Sequence, residues 1–243
     1  MAPDLSIVIP AFDEQARLGD SLRQIQAYIL REKLNAELIV VDDGSADDTA
    51  EVARNVLAED SGVRSQVIRY EQNRGKGYAV RVGLKSAQAA VALFSDADLS
   101  TPIEETPKLI DPILRNEYDV CFGSRALDRK LIGTHQPWRR EQGGKVMNFV
   151  IRTMSQLAFS DTQCGFKAFN MEKFRPLLDV VTVDRFGFDV ELLFVANYHG
   201  LRLKEVPVRW DNVEGTKVSA LTGARAFWDL LVVRWHQLCG HYR

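Results

Sequence analysis

Three cysteines, Cys121, Cys164 and Cys239, lie far apart in 243 residues and form no CxxC pair. They read as reduced thiols in a cytosolic protein. No charge of one sign dominates: 31 Lys and Arg against 33 Asp and Glu leave a net charge of −2. That argues against a broadly basic nucleic-acid binder. No apolar window reaches the length needed to span a bilayer, so any membrane contact is expected to be peripheral. The opening MAPDLSIVIP has no basic n-region and no long apolar stretch, which predicts no signal peptide. Internal repeats, low-complexity tracts and linkers are also missing. What remains is ordinary for a soluble globular protein, at 46% hydrophobic and 26% charged residues. The length suits one large α/β domain or two small ones, and one over residues 1–243 is the simplest count.

The chain is organised around FSDADLST, residues 94–101. It follows an apolar run, Ala89–Phe94, that reads as a buried strand. Asp96 and Asp98 fall where that strand ends. In an open parallel sheet, ligands bind beyond the carboxyl ends of the strands. Acidic side chains there cost solvation energy unless a positive group meets them. A divalent metal carrying a diphosphate meets that need: Mg²⁺ favours one or two protein carboxylates and takes its other oxygens from water and phosphate. A plain turn after a strand is the alternative for an isolated DxD.

The preceding chain repeats one rhythm. Leu5–Ile9 is a first strand, ended at Pro10 because proline cannot donate to a sheet ladder. AFDEQAR, residues 11–17, leads into a helix to about Lys33, with Asp13 and Glu14 near its start as possible cap or dipole partners. Leu38–Val41 is a second strand, tipped by Asp42 and Asp43. An acid at such a tip can accept hydrogen bonds from ribose hydroxyls or a base N–H. Asp47-Asp48-Thr49 then starts a helix to about Leu57, with Asp47 or Asp48 readable as its cap. Val67–Tyr70 is a third strand, and the loop NRGKG, with Lys76, precedes a helix to Ala89. A glycine-rich loop with a lysine before a helix can hold an anion. It is not a P-loop, because GxxxxGK[ST] is absent. After the DxD come a helix to about Asn116, a strand Asp119–Phe122, and Gly123-Ser124-Arg125. Short alternating strands and helices without hairpin signals predict a mostly parallel sheet covered by helices.

The second half departs from that rhythm. Residues 127–144 are polar and basic, with Arg129, Lys130, His135, Arg139 and Arg140. Residues 145–159 form an amphipathic helix candidate. DTQCGFKAF, residues 161–169, shows no clear period. In DRFGFDVELLFV, residues 184–195, Asp189 and Glu191 open an apolar helix. They are dipole partners by default and candidates for a raised pKa in a pocket. Leu203–Trp210 is a late strand, and VEGTK, residues 213–217, a loop with Lys217. Gly223–Tyr242 reads as an amphipathic final helix whose Trp228 and Trp235 share one face.

Taken in order, SIVIPAFDE, IVVDDGSADDT, NRGKGYAVRVG and FSDADLSTP resemble the family-2 glycosyltransferases of GT-A fold. GSR at 123–125, DTQCGFKAF, FGFDVELL and VEGTKV narrow the resemblance to polyprenyl-phosphate sugar transferases. The dolichyl-phosphate glucosyltransferases come first, then the mannosyltransferases. The match covers nearly the whole chain. It implies a metal-dependent, inverting transfer of a hexose to a polyprenyl or dolichyl phosphate. The donor would be UDP-glucose, with GDP-mannose, a sugar acceptor or a non-catalytic binding role as alternatives. It implies that Pro10, Ala11, Glu14, Asp42 and Asp43 hold the nucleoside. Lys76 and Ala97 would lie near the nucleotide sugar and Lys217 near its diphosphate, and Asp96 and Asp98 would bind Mg²⁺ or Mn²⁺ at the diphosphate. Arg125, with Arg139 and Arg140, would face the acceptor phosphate. Asp98, Arg125 and Asp189 are the catalytic candidates, Asp189 as an orienting group more than a base. Ser100 stands where related mannosyltransferases often have Gln, which leaves a third protein ligand open. By this reading, residues 1–125 are the nucleotide-sugar half and 126–243 the acceptor half. The enzyme would work peripherally on the cytoplasmic membrane face. The eukaryotic members carry an N-terminal membrane anchor that this chain lacks, implying a bacterial or archaeal type.

Overall fold

The computed structural model describes residues 2–59, 62–133, 157–185, 187–212 and 220–243. A seven-stranded sheet runs in the order β3-β2-β1-β4-β6-β5-β7. The first strands are β1 (Leu5–Ala11), β2 (Ala36–Asp42), β3 (Arg64–Arg69) and β4 (Val91–Ser95). All four are parallel, with β1 in the middle: Ile7 pairs with Leu38 on one side and Leu93 on the other. β5 (Val120–Ser124) and β7 (Leu203–Pro207) are parallel to each other. Between β4 and β5 lies β6 (Phe166–Asn170), antiparallel to both. Residues from both sides of position 125 therefore build one sheet.

The strand β6 is the main departure from the sequence reading, which found no period in DTQCGFKAF. Its second residue is a lysine, which breaks the apolar run that would mark a buried strand. Lys167 is nonetheless fully buried, because its ammonium meets an acid from another element, as described below.

Every residue of β1, β2, β4 and β5 is buried. Apolar side chains on both faces are what a parallel sheet covered by helices requires. Alternate side chains feed two cores. On one face Ile7, Ile9, Leu38, Val40 and Leu93 pack under α1 (Leu18–Arg31), α2 (Thr49–Ala58) and α4 (Thr106–Leu114). On the other, Val8, Val41, Phe94, Phe122 and Phe169 pack under α3 (Lys76–Ser86) and α6 (Phe188–Tyr198). A short turn of helix, α5 (Met171–Phe174), follows β6, and α7 (Ala220–Leu238) closes the chain. β3, at the sheet edge, is only partly buried and ends in Arg64 and Arg69; charged ends blunt an edge against pairing.

α6 carries almost no amphipathic pattern because it is buried throughout its first nine residues, Phe188 to Ala196. The final helix ends at Leu238, short of the expected Tyr242. Tyr242 instead folds back, fully buried, and donates its hydroxyl to Glu191 Oε1 at 2.7 Å. The candidate helix over 145–159 and the basic loop carrying His135, Arg139 and Arg140 lie outside the described residues, apart from 127–133 and 157–159. So does Lys217. None of the described helices is long and apolar enough to cross a membrane.

Candidate active site

From β1 the chain runs outward through β2 to β3, then returns to place β4 on the other side of β1. That reversal makes the β1/β4 crevice the topological switch point, the expected ligand position in such sheets. Asp96 and Asp98 follow β4, and Phe12, Asp13 and Glu14 follow β1.

The β4 tip is shaped by its neighbour. Asp96 donates its N–H to Gly165 O at 3.0 Å, tying the turn before β6 to the DxD. A Cβ at Gly165 would fall on the Asp96 carboxylate, so a side chain there would displace that carboxylate. Asp98 Oδ1 accepts the Ser100 N–H at 3.0 Å, an Asx turn that orients the carboxylate. Leu99 takes the left-handed region at φ 47° to close that turn. Ser100 is buried and its carbonyl accepts the Asp211 N–H at 2.8 Å. Lys76, from the first turn of α3, forms an ion pair with Asp96 Oδ1. That oxygen is buried and has no hydrogen-bond donor in good geometry. Gly75, at φ 112°, lets the backbone pass under Asp184 O and deliver Lys76 there.

Among the described residues, no group of three or more His, Cys, Asp or Glu is arranged to hold a metal alone. Two carboxylates at one strand end fit a hard divalent cation that takes its remaining oxygens from water and phosphate. Asp96 and Asp98 are the residues that could hold it.

The β2 tip is different. Asp43 accepts from Tyr70 Oη at 2.7 Å, Asn73 Nδ2 at 2.8 Å, and the N–H groups of Arg74 and Gly75 at 2.8 Å each. Its carboxylate folds the NRGKG loop over the strand end. Asp42 is fully buried; Oδ1 accepts from the Ser45 N–H at 3.1 Å and from its hydroxyl. Arg69 Nε stands 3.3 Å from Asp42 Oδ2 without hydrogen-bonding it. At the β1 tip, the Glu14 carboxylate is bound by Arg17 through a two-pronged pair, one contact at 2.8 Å. Its N–H donates to Thr49 Oγ1 at 2.7 Å. α1 has no side-chain cap, so Glu14 and Asp13 do not serve as its N-cap. Asp13 Oδ1 accepts the Ala46 N–H at 3.0 Å. The Arg17 guanidinium is held above its ordinary pKa by Glu14 first, then by the fields of Asp98 and Asp96. It thus borders the DxD.

Arg125 follows β5, within electrostatic reach of Asp96. Its Nε and Nη2 bind Asp161 Oδ2 and Oδ1 at 2.6 and 2.9 Å, and its N–H adds a bond at 3.1 Å. Its guanidinium lies 5.7 Å from the Trp210 ring centre. Burial works against both charges, but their mutual attraction prevails: Asp161 titrates below the usual carboxylate range and Arg125 above its own. Asp161 in turn is positioned by Glu205, which accepts the Ser160 and Asp161 N–H groups at 2.8 and 2.7 Å.

Beneath β4, Lys167 and Asp189 form a buried ion pair, and Lys167 Nζ also donates to Cys164 O at 2.6 Å. Burial dominates at Asp189 and raises its pKa, against the pull of Lys167 and Lys76. Glu191, two residues on, accepts the Thr182 and Val183 N–H groups at 3.0 and 2.7 Å besides Tyr242. It is a bracket for the chain rather than a dipole partner. Cys121, Cys164 and Cys239 are free, and burial pushes Cys164 up to about 11, so its thiol stays protonated and inert.

Sequence reasoning missed Lys167, Asp161 and Arg17. A signal existed for the first: one lysine inside FKAF and one aspartate inside FGFDVELL are complementary charges in apolar segments, which rarely stay buried unless paired.

A family model described as glycosyl transferase family 2 matches residues 6–178. A dolichyl-phosphate beta-glucosyltransferase of Drosophila melanogaster is 33% identical over 99% of this chain and 77% of its own length. The Homo sapiens enzyme of the same name is 31% identical over 98% and 77%. Among solved structures, the Mycobacterium tuberculosis glucosyl-3-phosphoglycerate synthase superposes with a TM-score of 0.66 at 19% identity, covering 96% of this chain and 80% of that one. That likeness shows the shared fold, and the sequence matches show the lineage: this chain belongs to glycosyl transferase family 2.

Proposed function

We propose that the protein moves a hexose, glucose from UDP-glucose, onto the phosphate of a polyprenyl phosphate at a membrane surface, with inversion. The observation that supports this reading is the Lys76–Asp96 ion pair at the end of β4, with Asp98 and Arg125 within electrostatic reach of it. The named activity of the Drosophila and human relatives supports the acceptor and the sugar. The M. tuberculosis synthase, crystallised with Mn²⁺ and UDP-glucose, supports the donor and a divalent cation.

In this reading the nucleoside lies along Pro10, Ala11, Glu14, Asp42 and Asp43, and the diphosphate at Asp96, Ala97, Lys76 and Lys217. Asp96 and Asp98 hold Mg²⁺ or Mn²⁺. The ion, when bound, supplies positive charge against the departing diphosphate. Lys76 adds a fixed cation beside it. The acceptor phosphate has a second pKa of about 6, so at neutral pH it is largely ionised and needs no base to deprotonate it. Arg125, held by Asp161 and joined by Arg139 and Arg140, orients that phosphate. Asp189, engaged by Lys167, supports the floor of the site and takes no proton. Direct attack on the anomeric carbon turns an α-linked donor into a β-linked product. By this division, residues 1–125 serve the donor and 126–243 the acceptor.

The lipid stays in the bilayer because each buried CH₂ contributes about 0.8 kcal/mol. The protein therefore comes to it from the cytoplasmic face. Four large apolar side chains on one stripe of α7 support such contact: Trp228, Leu231, Trp235 and Leu238 are exposed, the tryptophans by 67% and 66%.

A panel of UDP- and GDP-sugars against polyprenyl phosphate, with Mg²⁺, Mn²⁺ or a chelator, tests the proposal. Glucose transfer from UDP-glucose is expected, lost on chelation and reduced at least about 10²-fold in Asp98→Ala, which removes transition-state charge stabilisation. Transfer from GDP-mannose alone would replace the donor. Near-normal turnover in Asp98→Ala would remove the metal assignment.

A further inference from the structure

Lys76 occupies a place that a cation at Asp96 must also use. Its ammonium is ion-paired with Asp96 Oδ1, a buried oxygen. The pair is not sealed in: both side chains keep about a third of their surface exposed, 31% and 32%. Their exposure leaves room for exchange. Lys76 starts α3, so its stem is anchored on a rigid helix while its four-carbon arm stays free to swing. Two further carboxylates, Asp189 and Asp98, lie within electrostatic reach of the ammonium.

We propose that Lys76 is a built-in stand-in for the divalent cation: it neutralises Asp96 until a metal arrives with nucleoside diphosphate, then transfers to the diphosphate. This rests on the assignment of Asp96 to the metal. It adds a consequence for binding order. Before transfer the ammonium competes with the metal for one carboxylate oxygen, so free Mn²⁺ binds weakly. A diphosphate brings oxygens for both cations, which turns competition into cooperation. Lys76 thus opposes the bare metal and assists the metal nucleotide. That arrangement disfavours loading of the site with metal alone and couples metal capture to donor capture.

The test measures binding, with no turnover required. Mn²⁺ affinity is read by electron paramagnetic resonance on wild type, Lys76→Met and Asp96→Asn, each with and without UDP, with circular dichroism confirming the fold. Lys76→Met is expected to tighten bare Mn²⁺ about tenfold, since one partly buried charge pair no longer needs breaking. It is expected to weaken UDP binding in saturating Mn²⁺ by a similar factor. Opposite signs from one substitution are something a merely structural lysine would not produce. Bare Mn²⁺ affinity unchanged or weakened in Lys76→Met, with Asp96→Asn abolishing it, overturns the stand-in role and leaves the metal at Asp96. Wild-type Mn²⁺ affinity in Asp96→Asn overturns the metal assignment and the proposal with it.

Discussion

Lys167–Asp189 and Lys76–Asp96 pair the same two residue types on neighbouring elements, yet they differ in depth. Lys167 is fully buried and its partner keeps 8% side-chain exposure, while Lys76 and Asp96 each keep about a third. Two charges sealed under β4 cannot find water if separated, so they are fixed to one another. Two charges at the crevice can exchange partners with solvent or ligand at small cost. The first pair is a fixed part of the core, and the second stays open to exchange. Arg125–Asp161 lies between them, with side-chain exposures of 32% and 10%.

Lysine-to-methionine substitutions at both positions test this contrast most strongly. Lys167→Met leaves the Asp189 charge buried without its cation and is expected to cost about 3–5 kcal/mol of unfolding free energy. Adding Asp189→Leu should recover most of that loss, since a matched apolar pair of similar volume is tolerated. Lys76→Met is expected to cost below about 1 kcal/mol. Urea denaturation of the four proteins checks the series. A Lys167→Met loss as small as that of Lys76→Met would erase the distinction by depth.

The difference in depth also explains what the residue pattern disclosed. The parallel strands, the helices between them and the acid-tipped β2 and β4 are written in local runs such as LSIVIPA and VALFS, and local runs reflect burial on both faces. The β6 strand is not written that way, because Lys167 belongs in a strand only once Asp189 has been brought beside it from another element. Likewise, DDGS marks a strand tip plainly, but nothing local says that Asp43 already accepts from Tyr70, Asn73 and two N–H groups while Asp96 meets the ammonium of Lys76. Sequence places carboxylates; only the fold decides which are already satisfied. Arg17 went unnoticed for the same reason. Its position follows from a pair with Glu14 three residues earlier, and its electrostatic link to Asp96 and Asp98 crosses from the β1 end to the β4 end.

The intermediate pair yields an effect of middle size with a pH signature. Asp161→Asn deprives Arg125 of a charge-assisted, two-pronged partner and is expected to cost about 1–3 kcal/mol at pH 7. Asp161 titrates below the usual range when folded, so it adds stability above the unfolded carboxylate pKa of about 3.9. That contribution falls as pH drops from there through the folded pKa. The gap between wild type and Asp161→Asn should therefore be full at pH 7 and narrow below about pH 4. A gap that widens on acidification would mean that the pair is not the source of the shift.

At the exposed end of the scale, the α7 stripe should contribute almost nothing to folding. Trp228 and Trp235 are seven residues apart and two-thirds exposed, with Leu231 and Leu238 between and beyond them. The same helix buries Leu230 and Val233 against the core, so its inner face is already fixed without the stripe. Exposed side chains of this kind change stability by within about 0.5 kcal/mol when replaced, and Trp228→Ser with Trp235→Ser should stay near that bound. Tryptophan is favoured at the level of lipid headgroups, so the same pair should matter where a bilayer is present. Wild type is expected to float with liposomes containing polyprenyl phosphate, and the double variant to float markedly less at equal fold stability. Equal flotation of both proteins would move the membrane contact away from α7. A loss of stability well beyond that bound would show the tryptophans to be packed in the folded protein, which would place them with Lys167 rather than with Lys76.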